Sequence, residues 1–227
     1  MEDYKEYDEF KNIYGKNSSL TVWQIPAENR IKSKDSISVI NDVGGHPIDF
    51  LMQEHFNNKD IKYIFVGLNP AKQSCDDCKT RVKGKCKGKT NNSNDDWSSF
   101  HSICTIKSQD YKLRYALLET PYWDSFITDL FYEPTRNSSE LIPTQKQIED
   151  GIMRIKKART ALGPNAEIIA IGKAVYSYLY DGLGKDIVLK EIPHFSNSID
   201  IDWYRIMVLT QLGDYGVYDL KEDRRVK

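Results

Sequence analysis

Two short segments of this 227-residue chain hold side chains able to act on a bond. Gly67-Leu68-Asn69-Pro70-Ala71 pins an asparagine between a glycine and a proline, and Pro193-His194-Phe195-Ser196-Asn197 sets a histidine beside a hydroxyl and a second amide. An asparagine amide can orient a water molecule but takes no proton near neutral pH, so Asn69 reads as a water-positioning group and not as a strong base. His194 can donate a hydrogen bond to an oxygen on which negative charge develops. A third cluster is of another kind. Cys75-x2-Cys78-x7-Cys86 and Cys104, with His101 as a rival fourth ligand, place soft donors within one stretch. Four such ligands suit a structural zinc, and less well an iron–sulfur cluster. Reduced thiols in a basic loop fit the same spacing, and both readings stay open.

The elements that must position these groups alternate. Ile61 to Val66 is a short β-rich apolar run that stops at Gly67, as a buried strand feeding a loop does. Phe126 to Phe131 predicts a second strand, Glu167 to Ile171 a third closing on Gly172, and Ile187 to Ile192 a fourth. Between them, Trp97–Ile106, Tyr111–Glu119 and Ala174–Tyr180 predict short helices. Thr144 with Gln147 three residues on is a capping-box pattern. Ile148, Ile152, Ile155 and Leu162 then repeat on one helical face until Gly163-Pro164 ends the run. This alternation predicts a three-layer α/β/α fold around a central, mainly parallel four-stranded sheet, whose ligands sit outside the carboxyl ends of the strands. Residues 1–60 are polar and irregular, with one short amphipathic stretch in which Tyr7, Phe10 and Tyr14 recur at helical spacing, and read as a lead-in packing on the core. Residues 61–227 read as the α/β domain, with a Cys/Lys-rich insertion at about 72–96.

The two polar segments resemble the two motifs of the uracil-DNA glycosylase superfamily, a strand-terminal G-x-(D/N/E)-P turn and a late (H/N)-P-S type loop. The first is most similar to the mismatch-specific and single-strand-selective branches, whose turn reads G-x-N-P-G. Phe126-Ile127-Thr128-Asp129-Leu130 resembles the family strand that usually ends in asparagine, and Ile168 to Ala174 resembles the strand ending in glycine before a helix. The match covers roughly residues 60–200 in order. It implies a DNA glycosylase of base excision repair that flips a damaged or deaminated base from DNA, single- or double-stranded, and hydrolyses its N-glycosidic bond, with no cofactor needed for the chemistry. On that resemblance Asn69 and His194 are the catalytic pair, and Gly67, Leu68 and Asp129 bind the base, with Trp97 or Phe100 as its aromatic floor. Phe195, Ser196 and Asn197 contact the DNA, as do Lys83, Lys85 and Lys87 of the basic run.

Two departures bear on substrate. An ionised Asp129 where the family has asparagine only accepts hydrogen bonds, so it suits a base presenting an amino group unless the carboxyl is protonated. Phe195 interrupts the His-Pro-Ser order. The superfamily's cluster-bearing branches place one cysteine pair ahead of the first motif, whereas here all four cysteines follow it. Trp97 and Phe100 also have the spacing of a core face, and the basic run has the composition of a solvated loop.

Thirty-two basic against thirty-three acidic residues leave a net charge of -1, which excludes a polycation binding nucleic acid through bulk charge and requires any such contact to be local. No apolar run approaches a membrane span, and the acidic start is the reverse of a signal peptide, so a soluble cytoplasmic protein is expected. The resemblance implies DNA as its partner, and a monomer is expected. Gly84 to Thr90 mimics a phosphate-cradling loop but has three residues between its glycines and no strand before it. The second reading is the same fold as a catalytically weak or inactive nucleic-acid-binding module, and the third is a hydrolase of free nucleosides.

Overall fold

The computed structural model describes residues 2–23, 32, 42–43, 46–69, 81–82, 85–86, 97, 109–133 and 141–213. In chain order these form α1 (Glu2–Tyr14), β1 (Ser18–Leu20), β2 (Asp42–Val43), β3 (His46–Pro47), α2 (Ile48–Asn58), β4 (Tyr63–Gly67), β5 (Arg81–Val82) and β6 (Lys85–Cys86). There follow α3 (Asp110–Leu117), β7 (Phe126–Asp129), α4 (Gln145–Leu162), β8 (Glu167–Ile171), α5 (Lys173–Gly182), β9 (Leu189–Ile192) and α6 (Ile201–Leu212). The main sheet has the order β1-β7-β4-β8-β9. Its last four strands run parallel and are the four that the apolar runs predict.

The sheet has five strands, not the expected four. β1 pairs antiparallel with β7, Ser18 opposite Thr128 and Leu20 opposite Phe126. A three-residue strand beginning with two serines carries no alternating apolar signal. Its hydroxyls are satisfied by partners distant in sequence: Ser18 Oγ donates to Thr128 Oγ1 at 2.8 Å, and Ser19 Oγ donates to the Trp97 carbonyl at 2.5 Å. The lead-in is thus part of the architecture, giving the sheet an edge strand and two of its covering helices. Two short antiparallel pairs, β2 with β3 and β5 with β6, stand apart from this sheet.

Side chains of each central strand alternate between two cores. Ile64, Val66, Phe126, Ile168 and Ala170 face one cluster, which takes Tyr7, Phe10 and Tyr14 of α1, Met52 of α2, Ile152 and Ile155 of α4 and Leu179 of α5. Phe65, Ile127, Ile169, Ile171 and Ile192 face the other, which takes Leu113 and Leu117 of α3 and Tyr204, Val208 and Leu212 of α6. Burial on both faces explains why these strands read as continuous apolar runs.

α4 begins as its sequence predicts. The Thr144 hydroxyl accepts the Gln147 N–H at 3.3 Å, and the Gln147 side chain accepts the Thr144 N–H at 2.9 Å. It ends where a side chain would not fit, since a Cβ on Gly163 would lie 1.9 Å from the Ile61 carbonyl oxygen. The Ile61 N–H meanwhile donates to the Leu162 carbonyl at 3.0 Å, sealing the end of α4 against the start of β4. Among the described residues no helix is long and apolar enough to cross a membrane.

Candidate active site

The first motif leaves the sheet tied to its neighbour. The Leu130 N–H donates to the Gly67 carbonyl at 2.8 Å and the Phe131 N–H to the Leu68 carbonyl at 2.9 Å, so the pairing of β4 with β7 continues past both strand ends. Leu68 packs half-buried on the first core. Asn69 follows it, half-buried, with its Nδ2 3.4 Å from the Glu133 carbonyl. Arg154 of α4 fixes the facing loop, donating to the Leu130 carbonyl at 2.8 Å and lying 4.3 Å over the Tyr132 ring. Gly151 permits that approach, because a Cβ there would meet the Leu130 oxygen at 2.6 Å. A glycine inside an otherwise strong helical pattern is the signal in the sequence that could have found this contact.

Asp129 stands opposite Gly67 in the parallel register. The two-residue period turns both toward the α3/α6 side, along with Phe65 and Ile127. A Cβ on Gly67 would lie 2.3 Å from Asp129 Oδ1, so the carboxyl occupies the space the glycine leaves. Asp129 is 6% exposed, and no described residue hydrogen-bonds or ion-pairs with its side chain. Desolvation by burial holds its pKa well above the usual carboxylate range, which favours the neutral acid.

His194 lies two strands from β4. The Gly172 N–H donates to the Ile192 carbonyl at 2.8 Å, and the Tyr204 hydroxyl donates to the Pro193 carbonyl at 3.0 Å, so β8 and α6 both hold the strand end that carries it. A Cβ on Gly172, whose φ is +95°, would come 3.4 Å from His194 Cβ. The Ser196 N–H points at His194 Nδ1 at 3.1 Å, with the Ser196 hydroxyl 2.7 Å from the same atom. A backbone N–H can only donate, so Nδ1 accepts and the ring proton sits on Nε2. Desolvation lowers the His194 pKa and favours the same neutral tautomer. The Phe195 ring stacks on the imidazole with centroids 4.5 Å apart and packs against the second core. Ser196 and Asn197 are exposed. The Asn197 and Ile199 carbonyls accept from Lys112 Nζ at 2.8 and 2.7 Å, which ties the loop to the start of α3.

The strand order thus gathers Gly67, Leu68, Asn69 and Asp129 on one side of the β8 end and His194, Phe195 and Ser196 on the other. At the usual strand spacing Asn69 and His194 are two steps, roughly 10 Å, apart, and Asp129 on β7 is a third step further from His194. Trp97 is not among them. It is fully buried in the first core, its Nε1 donating to Asp49 Oδ1 at 2.7 Å and its ring 5.9 Å from that of Phe10, while Asp129 faces the other side of the sheet. Of the two roles weighed for this residue, core packing is the one its surroundings describe. Phe100, Lys83, Lys87, Cys75, Cys78 and Cys104 lie outside the described residues, and for Lys85 and Cys86 only the backbone pairing of β6 is described. Among the described residues no group of three His, Cys, Asp or Glu side chains is placed to hold a metal ion. A hollow of about 340 Å³ lined by Lys59, Lys62, Tyr63, Asn165 and Glu167 sits at the opposite, amino edge of the sheet.

One cluster had no part in the sequence reading. His55 of α2 lies with Nδ1 2.7 Å from Asp60 Oδ1 and Nε2 3.3 Å from Asp124 Oδ2. Desolvation opposes the charge on its ring, but the hydrogen bonds and negative charges of Asp124 and Asp60 outweigh it and raise its pKa to about 9.

No family model matches the sequence, and no curated protein matches it as a relative.

Proposed function

We propose that this chain is a DNA N-glycosylase, which holds a base flipped from DNA at the carboxyl edge of its parallel strands and hydrolyses the bond between base and sugar. The observation that carries this reading is the pair formed by Asn69 at the end of β4 and a neutral His194 at the end of β9, with Asp129 beside the first. Hydrolysis of such a bond needs an oriented water, tolerance of an oxocarbenium-like sugar and stabilisation of charge on the departing base. Asn69 supplies the first by presenting its amide to water. His194 supplies the last: with Nδ1 occupied by Ser196, its Nε2–H is the donor left for the base's carbonyl oxygen. A neutral donor suits this role, because it strengthens its hydrogen bond as charge grows without first having to give up a proton. Ser196 and Asn197 are exposed, and the Asn197 side chain suits a phosphate flanking the flipped nucleotide.

The test is abasic-site formation in labelled oligonucleotides carrying uracil, hypoxanthine, xanthine or mismatched bases, in single and double strands. Asn69→Ala should lower turnover by about 10²–10⁴-fold and His194→Ala by about 10²–10³-fold, the range for losing one positioning or oxyanion donor. Both variants should still bind DNA. Cleavage of no substrate, or cleavage unchanged in both variants, overturns the reading.

A further inference from the structure

The second half of α4 presents a side that the core does not use. Its buried stripe, Gly151, Ile152, Ile155, Ala158 and Leu162, packs toward the sheet. Met153, Lys156, Lys157 and Ala161 recur at three- and four-residue spacing on another side of the same helix. Together with Phe56 of α2, Lys59 just beyond it and Glu6 of α1, they line a groove of about 410 Å³. Its floor is apolar: Phe56 and Ala161 are half-buried against the first core, and Met153 is 54% exposed. A methionine left exposed among lysines offers adaptable apolar contact to whatever docks there.

The charges on the rim are unbalanced. In the first half of α4, Lys146 pairs with Asp150 four residues on at 2.6 Å. Lys156 and Lys157 have no acid three or four residues away in either direction. The described residues give neither of them, nor Lys59, an ion-pair partner. The helix dipole does not account for them, since Arg159 already serves the last turn. Asp60, next to Lys59, is bound to His55, which leaves Glu6 as the acid lining the groove against three cations. The groove is also remote from the candidate active site. α4 joins the parallel strands β7 and β8, so it runs from the carboxyl edge of the sheet back to the amino edge, where Leu162 meets Ile61. Met153 to Ala161 therefore lie on the half of the helix away from Asn69 and His194.

We propose that this groove docks an acidic segment of a partner protein, with an apolar side chain seated between Phe56 and Met153 and carboxylates against Lys59, Lys156 and Lys157. Charge complementarity selects the partner. An apolar floor between cations on two rims fits a chain that carries bulky apolar side chains among acidic ones, whereas a phosphate backbone would leave Phe56 and Met153 without contact. The proposal is independent of the glycosylase reading.

The test selects a displayed library of random peptides against the full chain. Recovered peptides should be enriched in Asp and Glu around one or two bulky apolar residues, and the best of them, fluorescently labelled, should bind more weakly as salt rises. Reversing two charges, Lys156→Glu with Lys157→Glu, should weaken that binding by about tenfold or more, and Met153→Ala by about threefold to tenfold. None of these side chains is buried, and both variants should melt as the wild type does. In the methyl-labelled protein the peptide should move the Met153 and Ala161 signals and leave Met207 of α6 in place. No peptide recovered, peptides without that composition, or binding unchanged by the charge reversal overturns the proposal. A Met153 signal moved by duplex DNA and not by the peptide overturns it in favour of a nucleic-acid surface. A dimer seen by sedimentation and abolished by the charge reversal overturns it in favour of a second copy of this chain.

Discussion

At Gly67 the side chain that is missing does as much as those that are present. Its Cα faces the Asp129 carboxyl so closely that a methyl group would sit 2.3 Å from Oδ1. Gly67→Ala must therefore push the carboxyl out of its place or spread β4 from β7, with an expected destabilisation of about 1–3 kcal/mol. In an Asp129→Gly background the same alanine should cost far less, and a double-mutant cycle by urea denaturation reads the difference as coupling. Additive effects would mean that the carboxyl lies elsewhere. The placement of Asn69 and His194 just past the carboxyl ends of parallel strands was legible as two polar segments after apolar runs. What the sequence could not give was the protonation of either neighbour. The environment decides it: burial raises the Asp129 pKa, and for His194 a backbone N–H two residues on faces Nδ1.

Elements whose signals are periodic or capped were legible: β4, β7, β8 and β9 as apolar runs, and α4 through its Thr144–Gln147 box. β1 was not, because its two buried serines are stabilised by tertiary hydrogen bonds that leave no local pattern. α2 and α6 left signals that went unread, Ile48, Met52 and Phe56 at four-residue spacing and Asp200 as an N-cap that accepts the Asp202 N–H at 2.9 Å. The His55 clamp could not be read at all, since its three members come from α2, the lead into β4 and the turn before β7. It sets a pH dependence. With the folded pKa about 9 against an ordinary 6.5, the clamp's contribution is complete below about pH 6.5 and is lost as pH rises through about 9. The two carboxylates are about half exposed, 52% and 41%, so screening reduces the contribution to on the order of 1–2 kcal/mol. Thermal melts should show the wild type losing stability over that window and His55→Gln staying flat. Equal slopes in the two proteins would remove the clamp from the account.

Across the whole molecule, two cores divide the labour of the sheet. One binds the amino-terminal helices and α4 to it, and the other binds α3 and α6. With a net charge of -1, binding to a nucleic acid needs a local source of cations. If Lys83, Lys85 and Lys87 are that source, replacing all three by alanine should make the slope of log K against log salt shallower by about 2–3, at about 0.7–0.9 per phosphate neutralised. An unchanged slope would place the contact elsewhere.

Trp97 has a further consequence for this architecture. Its φ is +64°, its N–H donates to the Gly15 carbonyl, its carbonyl accepts from Ser19 and its indole donates to Asp49. It therefore pins one point of the chain between Asn69 and Gln109 to the end of α1, to β1 and to α2 at once, so that this one residue joins a later part of the chain to three early elements.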